Sequence, residues 1–239
     1  LIINPDKKTL SAKTESLQPD VESDKVKDGI TVFFSPRRSL GILQEYADLI
    51  NAAAEMVCCV YPFNIDKRFQ DVFMEDEPFI RYILLDTRRS YNTFQTDDRD
   101  VEVTAASYIK TAVDQWVQEI SSDSIVHRGI YVHNKIILID PLSAAPVVIT
   151  GSANYSQNST LNNDENTLII KGDTRTADIY FTEYVRLFDH FSFREWINEH
   201  KTDFRPYLDE KGKWTDKFFD NPDYLSVKRK MVFRNMFVK

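Results

Sequence analysis

The sequence predicts an α/β domain built on a mixed β-sheet flanked by helices on both faces, and three observations carry that expectation. Short β-branched or aromatic runs at 29–34, 56–61 and 80–85 alternate with segments of helical periodicity. A strand-turn-strand pattern over 130–150 and a further apolar run at 166–170 add strands at hairpin spacing. The composition, 42% hydrophobic and 28% charged over 239 residues, is that of an ordinary globular chain able to bury one core.

Each element follows from its residues. Positions 1–28 are rich in Lys, Asp, Ser and Glu, show neither helical nor strand periodicity, and read as a linker or the tail of an upstream domain. The run 29–34 is stopped by Ser35-Pro36 and reads as a buried strand. Ser39 is placed to cap a helix whose apolar residues Leu40, Leu43, Ala47, Ile50 and Ala54 recur in steps of three and four. The strand 56–61, a short helix over 65–74 and the strand 80–85 follow. Residues 87–100, with Arg88, Arg89 and Arg99 among acids, read as an irregular loop. An amphipathic helix is expected from Ala105, Ile109, Ala112, Val113, Trp116, Val117 and Ile120. After the hairpin, with its turn at 141–146, Ala177, Tyr180, Phe181, Tyr184, Phe188 and Phe191 mark a long helix whose aromatic face belongs to the core. Residues 29–200 are thus expected to form one domain, and 201–239, with the basic run Lys228-Arg229-Lys230, an extension packed on it.

Several function classes are disfavoured at once. Six glycines leave little material for a Gly-rich phosphate loop, and a net charge of −7 argues against a general polyanion-binding surface. Cys58 and Cys59 are adjacent, so a strand sends them to opposite faces; they suit a core, not a disulfide framework or a zinc site. No apolar run is long enough to span a bilayer and no signal segment opens the chain; a soluble domain is expected, while the compartment stays open with the cytoplasm slightly favoured.

The chemistry concentrates in Tyr131-Val132-His133-Asn134-Lys135-Ile136-Ile137-Leu138-Ile139-Asp140 and Val147-Val148-Ile149-Thr150-Gly151-Ser152-Ala153-Asn154. On a strand, period two places His133 and Lys135 on one face and Asn134, Ile136 and Leu138 on the other. Ser152 and Asn154 share the same two-residue step after the hairpin, so an imidazole, an ammonium, a hydroxyl and an amide can converge on one anion. A lone strand histidine is usually a hydrogen-bonded core residue and a lone lysine a snorkelling edge residue. Their joint spacing, with Ser152 and Asn154 beyond a hairpin, favours a phosphate-sized cradle. The same alternation sets Asp140 opposite His133 and Lys135 and makes it a supporting residue.

These residues resemble the signature of the phospholipase D superfamily, His-x-Lys, four residues, Asp, a spacer, then Gly-Ser-x-Asn. It stands here as His133, Lys135, Asp140, Gly151, Ser152 and Asn154, with ten residues between Asp140 and Gly151 where six are common. Glu165, eleven residues past Asn154, matches the position of a carboxylate that orients the catalytic imidazole. The resemblance covers most of residues 29–200 and implies two-step phosphodiester cleavage by two histidines. One attacks phosphorus and the other protonates the leaving oxygen. It implies Lys135, Asn154 and Ser152 as the clamp on the phosphoryl oxygens, with no cofactor and no metal.

A complete site of that kind takes two such motifs, and the chain has one. His127, His190 and His200 are not followed two residues later by lysine, and only His127 stands near enough in sequence to neighbour the cleft. The expected partner is therefore a second half carrying its own motif: a homodimer mate, or an upstream half of a two-motif, bacterial-type protein. The leading residue Leu1 and the linker-like start favour the latter, with this chain as the C-terminal half. The substrate expected is a phosphodiester, phospholipid in preference to nucleic acid, with contact at a membrane surface. A nuclease of the same superfamily, or a non-catalytic half that completes its partner, is the alternative.

Overall fold

In the computed structural model, residues 6–20, 25–62, 65–86, 100–106 and 132–199 are described. They form α1 (Lys7–Leu17), β1 (Gly29–Phe34), α2 (Gly41–Asn51), β2 (Met56–Tyr61), α3 (Lys67–Met74), β3 (Ile80–Leu85) and β4 (Val101–Ala105). There follow β5 (Ile136–Ile139), β6 (Val147–Gly151), α4 (Gln157–Asn162), β7 (Asn166–Lys171) and α5 (Thr174–Glu199). The seven strands make one mixed sheet in the order β1-β7-β6-β5-β2-β3-β4. β2, β3 and β4 run parallel, and every other neighbouring pair is antiparallel.

Apolar clusters lie on both faces, as the unbroken hydrophobic strands require. On one face α2 and α3 cover Val57, Cys59, Ile83, Ile137 and Ile149, with Tyr46, Tyr61, Phe69, Phe73 and Tyr155 as an edge-to-face aromatic set. On the other, Ala177, Phe181, Tyr184, Phe188 and Phe191 of α5 cover Met56, Cys58, Val60, Leu84 and Leu138. Each large apolar side chain buried there contributes about 1.5–3 kcal/mol of transfer free energy. The Tyr184 hydroxyl donates to the Tyr82 carbonyl at 2.8 Å, and Glu195 Oε2 accepts from Thr104 Oγ1 at 2.8 Å, which fastens α5 across the sheet. Cys58 and Cys59 are free, buried and on opposite faces, and burial pushes both thiols up.

β1, read as a buried strand, is an edge strand on which Phe33 is buried while Ile30 and Phe34 are exposed, because β7 pairs with it on one side alone. Four further expectations need correction. Residues 7–17, read as lacking periodicity, form a helix, because its start is capped rather than buried: Asp6 accepts from the Thr9 N–H at 3.0 Å and its hydroxyl at 2.7 Å. Beyond it, the Gln18 amide bridges the β1 edge, donating to Val32 O and accepting from Phe34 N–H, both at 3.1 Å. Secondly, α2 has Leu40 at its N-cap with no side-chain cap bond; Ser39 Oγ receives the Gly41 N–H at 3.4 Å and donates to Asp20 at 2.8 Å. Thirdly, Ala105 ends strand β4, hydrogen-bonded beside β3, instead of opening a helix. Tertiary pairing overrides the helical spacing there, and the rest of the expected helix lies outside the described residues. Lastly, β5 starts at Ile136, so neither His133 nor Lys135 is on a strand. The 201–239 extension, the arginines of 87–99, His127 and His200 also lie outside the described residues.

Candidate active site

The β5–β6 hairpin builds the floor of the site. Ile136 pairs with Thr150 and Ile139 with Val147, so the extra spacer residues fall in the turn at 140–146, clear of the cleft. Asp140 opens that turn at φ 47°, and its carboxylate accepts the N–H groups of Ala54, Glu55 and Met56 at 2.9, 2.7 and 2.8 Å. The residue thus fastens the hairpin to the start of β2, at the opposite end of β5 from His133.

At the other end, β6 runs into Gly151, whose φ of 149° and crowded surroundings exclude a side chain. A Cβ there would collide with the Asn166 carbonyl oxygen and lie 2.9 Å from Thr167 Cα. Ser152 then pairs with the first residue of β7: its N–H donates to Asn166 O at 3.0 Å and its Oγ accepts the Asn166 N–H at 3.0 Å. The hydroxyl proton remains available to donate. Asn154 follows with its Oδ1 buried and without a hydrogen-bond partner among the described residues.

Residues 132–135 approach from the side of β3. The Val132 N–H donates to Asp86 Oδ1 at 3.0 Å, His133 is exposed, and Lys135 is only 7% exposed. Lys135 Nζ donates to the His133 carbonyl at 2.7 Å. Burial pushes the Lys135 amine below its ordinary value, opposed by the charge of Glu165. Glu165 itself is held by its backbone carbonyl, which accepts from Ser35 N–H at 2.9 Å, and by Asn163 Nδ2, which donates to its Oε1 at 3.2 Å.

His133, Lys135, Gly151, Ser152, Asn154 and Glu165 line one cavity of about 590 Å³. Every residue expected at the site except the supporting Asp140 is therefore present in it. Asn134, expected to face away, lines it too, because strand alternation does not operate before the chain joins the sheet, and Ile136 borders it as the first residue of β5. Two further residues were not foreseen. Tyr180 of α5 reaches the cavity although its helical spacing groups it with the core, and Asp86, directly after β3, accepts the N–H of Val132, the residue before His133. The signal for Asp86 was its place at the carboxyl end of a parallel strand, where α/β sheets gather their functional groups. His190 is half-buried on α5 with its ring 5.2 Å from that of Phe191, far along the helix from Tyr180. Among the described residues no group of three or more His, Cys, Asp and Glu side chains converges as a set of metal ligands.

Comparison with known proteins places the chain. No curated protein matches its sequence. Its structure is similar to that of Nuc from Salmonella typhimurium, a phospholipase D family member, at 17% identity over 67% of this chain and 93% of that one, with a TM-score of 0.47. It is also similar to NucT from Helicobacter pylori, at 20% identity over 66% and 93% of the two chains and a TM-score of 0.44. The family model described as "Cardiolipin synthase, PLD-like domain" matches residues 48–189. That stretch is more than half of the chain and contains the whole cavity lining, and on it the chain belongs to the phospholipase D-like family.

Proposed function

We propose that the chain supplies one of two half-sites of a metal-independent centre that cleaves a phosphodiester or transfers its phosphatidyl group. The observation that carries this is the convergence of His133, Lys135, Ser152, Asn154 and Glu165 on one cavity, in a member of the phospholipase D-like family.

Two imidazoles share the work, one from this chain and one from a second half. In the first step the nucleophilic imidazole nitrogen forms a bond to phosphorus while the bond to the leaving oxygen breaks, and that oxygen takes the proton of the other imidazole. In the second, water or an alcohol gives its proton to the now neutral imidazole, bonds to phosphorus and displaces the histidine. His133 takes one of these roles. Lys135, held in place by its bond to the His133 carbonyl, and the Ser152 hydroxyl meet the negative charge that builds on the non-bridging oxygens. Asn154 offers its amide N–H groups to the same oxygens, and its orphaned Oδ1 suits a bound hydroxyl. Glu165 balances the charge of Lys135 and orients the catalytic imidazole.

Phospholipid is the substrate favoured over nucleic acid, since a chain of net charge −7 is poorly suited to follow a long polyanion. No helix among the described residues is long and apolar enough to cross a membrane.

The test is turnover of bis(p-nitrophenyl) phosphate and of phosphatidylglycerol vesicles, with light scattering on the same samples. The chain by itself is expected to be monomeric and weakly active, and His133→Ala to lower the rate of the complete enzyme about a thousandfold or more while the fold persists. A His133→Ala variant within tenfold of the parent overturns the reading. A stable, fully active dimer replaces the upstream second half with a symmetric mate.

A further inference from the structure

One buried carboxylate next to the site has no part in the chemistry above. Asp86 directly follows β3, and its N–H donates to Tyr61 O at 3.1 Å, which seats it at the carboxyl ends of the parallel strands β2 and β3. It is 9% exposed, and its Oδ1 accepts the Val132 N–H at 3.0 Å. Val132 is the residue before His133, and its own side chain is buried in the cluster beneath α5.

That bond matters because residues 132–135 lie outside the sheet. Among the described residues no ladder of backbone hydrogen bonds sets their position. Contacts that hold them include the Asp86 carboxylate, the buried Val132 side chain and the bond from Lys135 Nζ to the His133 carbonyl. A carboxylate accepting a buried N–H forms a charge-assisted bond, stronger than a neutral one. Asp86 does not line the cavity, so it reaches substrate only through the segment it holds.

The same carboxylate also acts on the imidazole by its charge. Burial raises the Asp86 carboxyl, while the Val132 N–H and the nearby His133 charge both lower it. Asp86 and His133 therefore interact by charge across the segment that the carboxylate holds.

We propose that Asp86 is a positioning residue for His133: it fixes the backbone from which the imidazole projects and supplies a negative charge behind it. The proposal deepens the reading of His133 as a catalytic imidazole and gives that reading a second carboxylate, on a different element from Glu165.

The experiment is an NMR titration of the full chain, with the His133 resonance assigned by its loss in His133→Gln. Asp86→Asn keeps an oxygen for the Val132 N–H and removes the charge, so by reciprocity of the coupling the His133 midpoint is expected to fall. Asp86→Ala removes both functions, and faster hydrogen exchange at the Val132 amide is expected alongside the same fall. The coupling is reciprocal, so His133→Gln, a change at an exposed residue, is expected to raise the Asp86 carboxyl midpoint. A His133 midpoint unmoved in folded Asp86→Asn overturns the proposal. Should that variant not fold, an Asp86 midpoint unmoved in His133→Gln overturns it instead. Titration is read here, not turnover, so a chain without phosphodiesterase activity but with coupled midpoints sinks the proposed function and leaves this inference standing.

Discussion

Lys135 donates from Nζ to the carbonyl of His133 at 2.7 Å, so the two residues of the motif are tied to each other within their own segment. The bond folds the lysine back over the peptide it follows and holds its ammonium beside the cavity at 7% exposure. A charge so placed is felt strongly by a bound phosphoryl group, because little water screens it.

That burial sets an alkaline limit on activity. Lys135 is charged below its folded-state midpoint and neutral above it, and burial has moved this midpoint below the ordinary lysine value of 10.5. Turnover is therefore expected to fall at a pH below that of a free lysine. Glu165 is the group that raises the midpoint, so Glu165→Gln is expected to move the limb to still lower pH in a pH-rate profile. A limb that stays put or moves up contradicts the charge-clamp role. Stability follows the opposite sign: between the folded midpoint and 10.5 the unfolded chain binds the additional proton, and stability from this group rises with pH across that window.

Asp140 gives a prediction on stability alone. Its carboxylate accepts three backbone N–H groups at the head of β2, and its φ is positive. Asp140→Ala is expected to cost about 2–3 kcal/mol in urea unfolding, because part of the lost bonding is recovered by water. Activity per folded molecule should stay within a few-fold of the parent. A large loss of turnover in a fully folded Asp140→Ala sample would give the residue a direct part in the chemistry.

Gly151→Ala tests the cradle by sterics. The added methyl group meets the Asn166 carbonyl and Thr167 Cα in a backbone region that disfavours side chains. Strain and overpacking together are expected to cost about 2–4 kcal/mol and to spread the Ser152–Asn166 pairing. Thermal unfolding gives the first quantity, and the amide shifts of Ser152 and Asn166 report the second. Unchanged Tm and shifts would mean that the strand end is looser than its geometry.

Chelation addresses the charge source. Lys135 and an imidazolium supply the positive charge that a divalent cation would otherwise bring, and an ammonium beside a histidine repels such a cation. Diester cleavage by the complete enzyme is expected to survive EDTA with little change, and vanadate, a mimic of five-coordinate phosphorus, to inhibit. Activity abolished by EDTA and restored by one specific metal would refute the two-histidine mechanism.

What the sequence determined by itself was the set of parts. The alternation of apolar runs fixed a mixed sheet with two buried faces, since a strand rich in Val, Ile and Leu on both sides has to be covered on both. Adjacent Cys58 and Cys59 were legible as opposite faces of one strand, because that depends only on a period of two. The spacing of His133, Lys135, Gly151, Ser152 and Asn154 identified the family through residue types that chemistry constrains. Only the tertiary structure decided how those parts meet. Strand β4 forms because β3 offers it an edge, against the helical spacing that begins at Ala105. His133 and Lys135 share a cavity although they are not on a strand. The chain joins β5 only at Ile136, and just before it Asp86, forty-six residues before Val132 in sequence, takes the Val132 N–H. Local periodicity carries no information about a bond between residues so far apart in sequence, and for that reason Asp86 and Tyr180 emerge only once β3 and α5 are packed around the site.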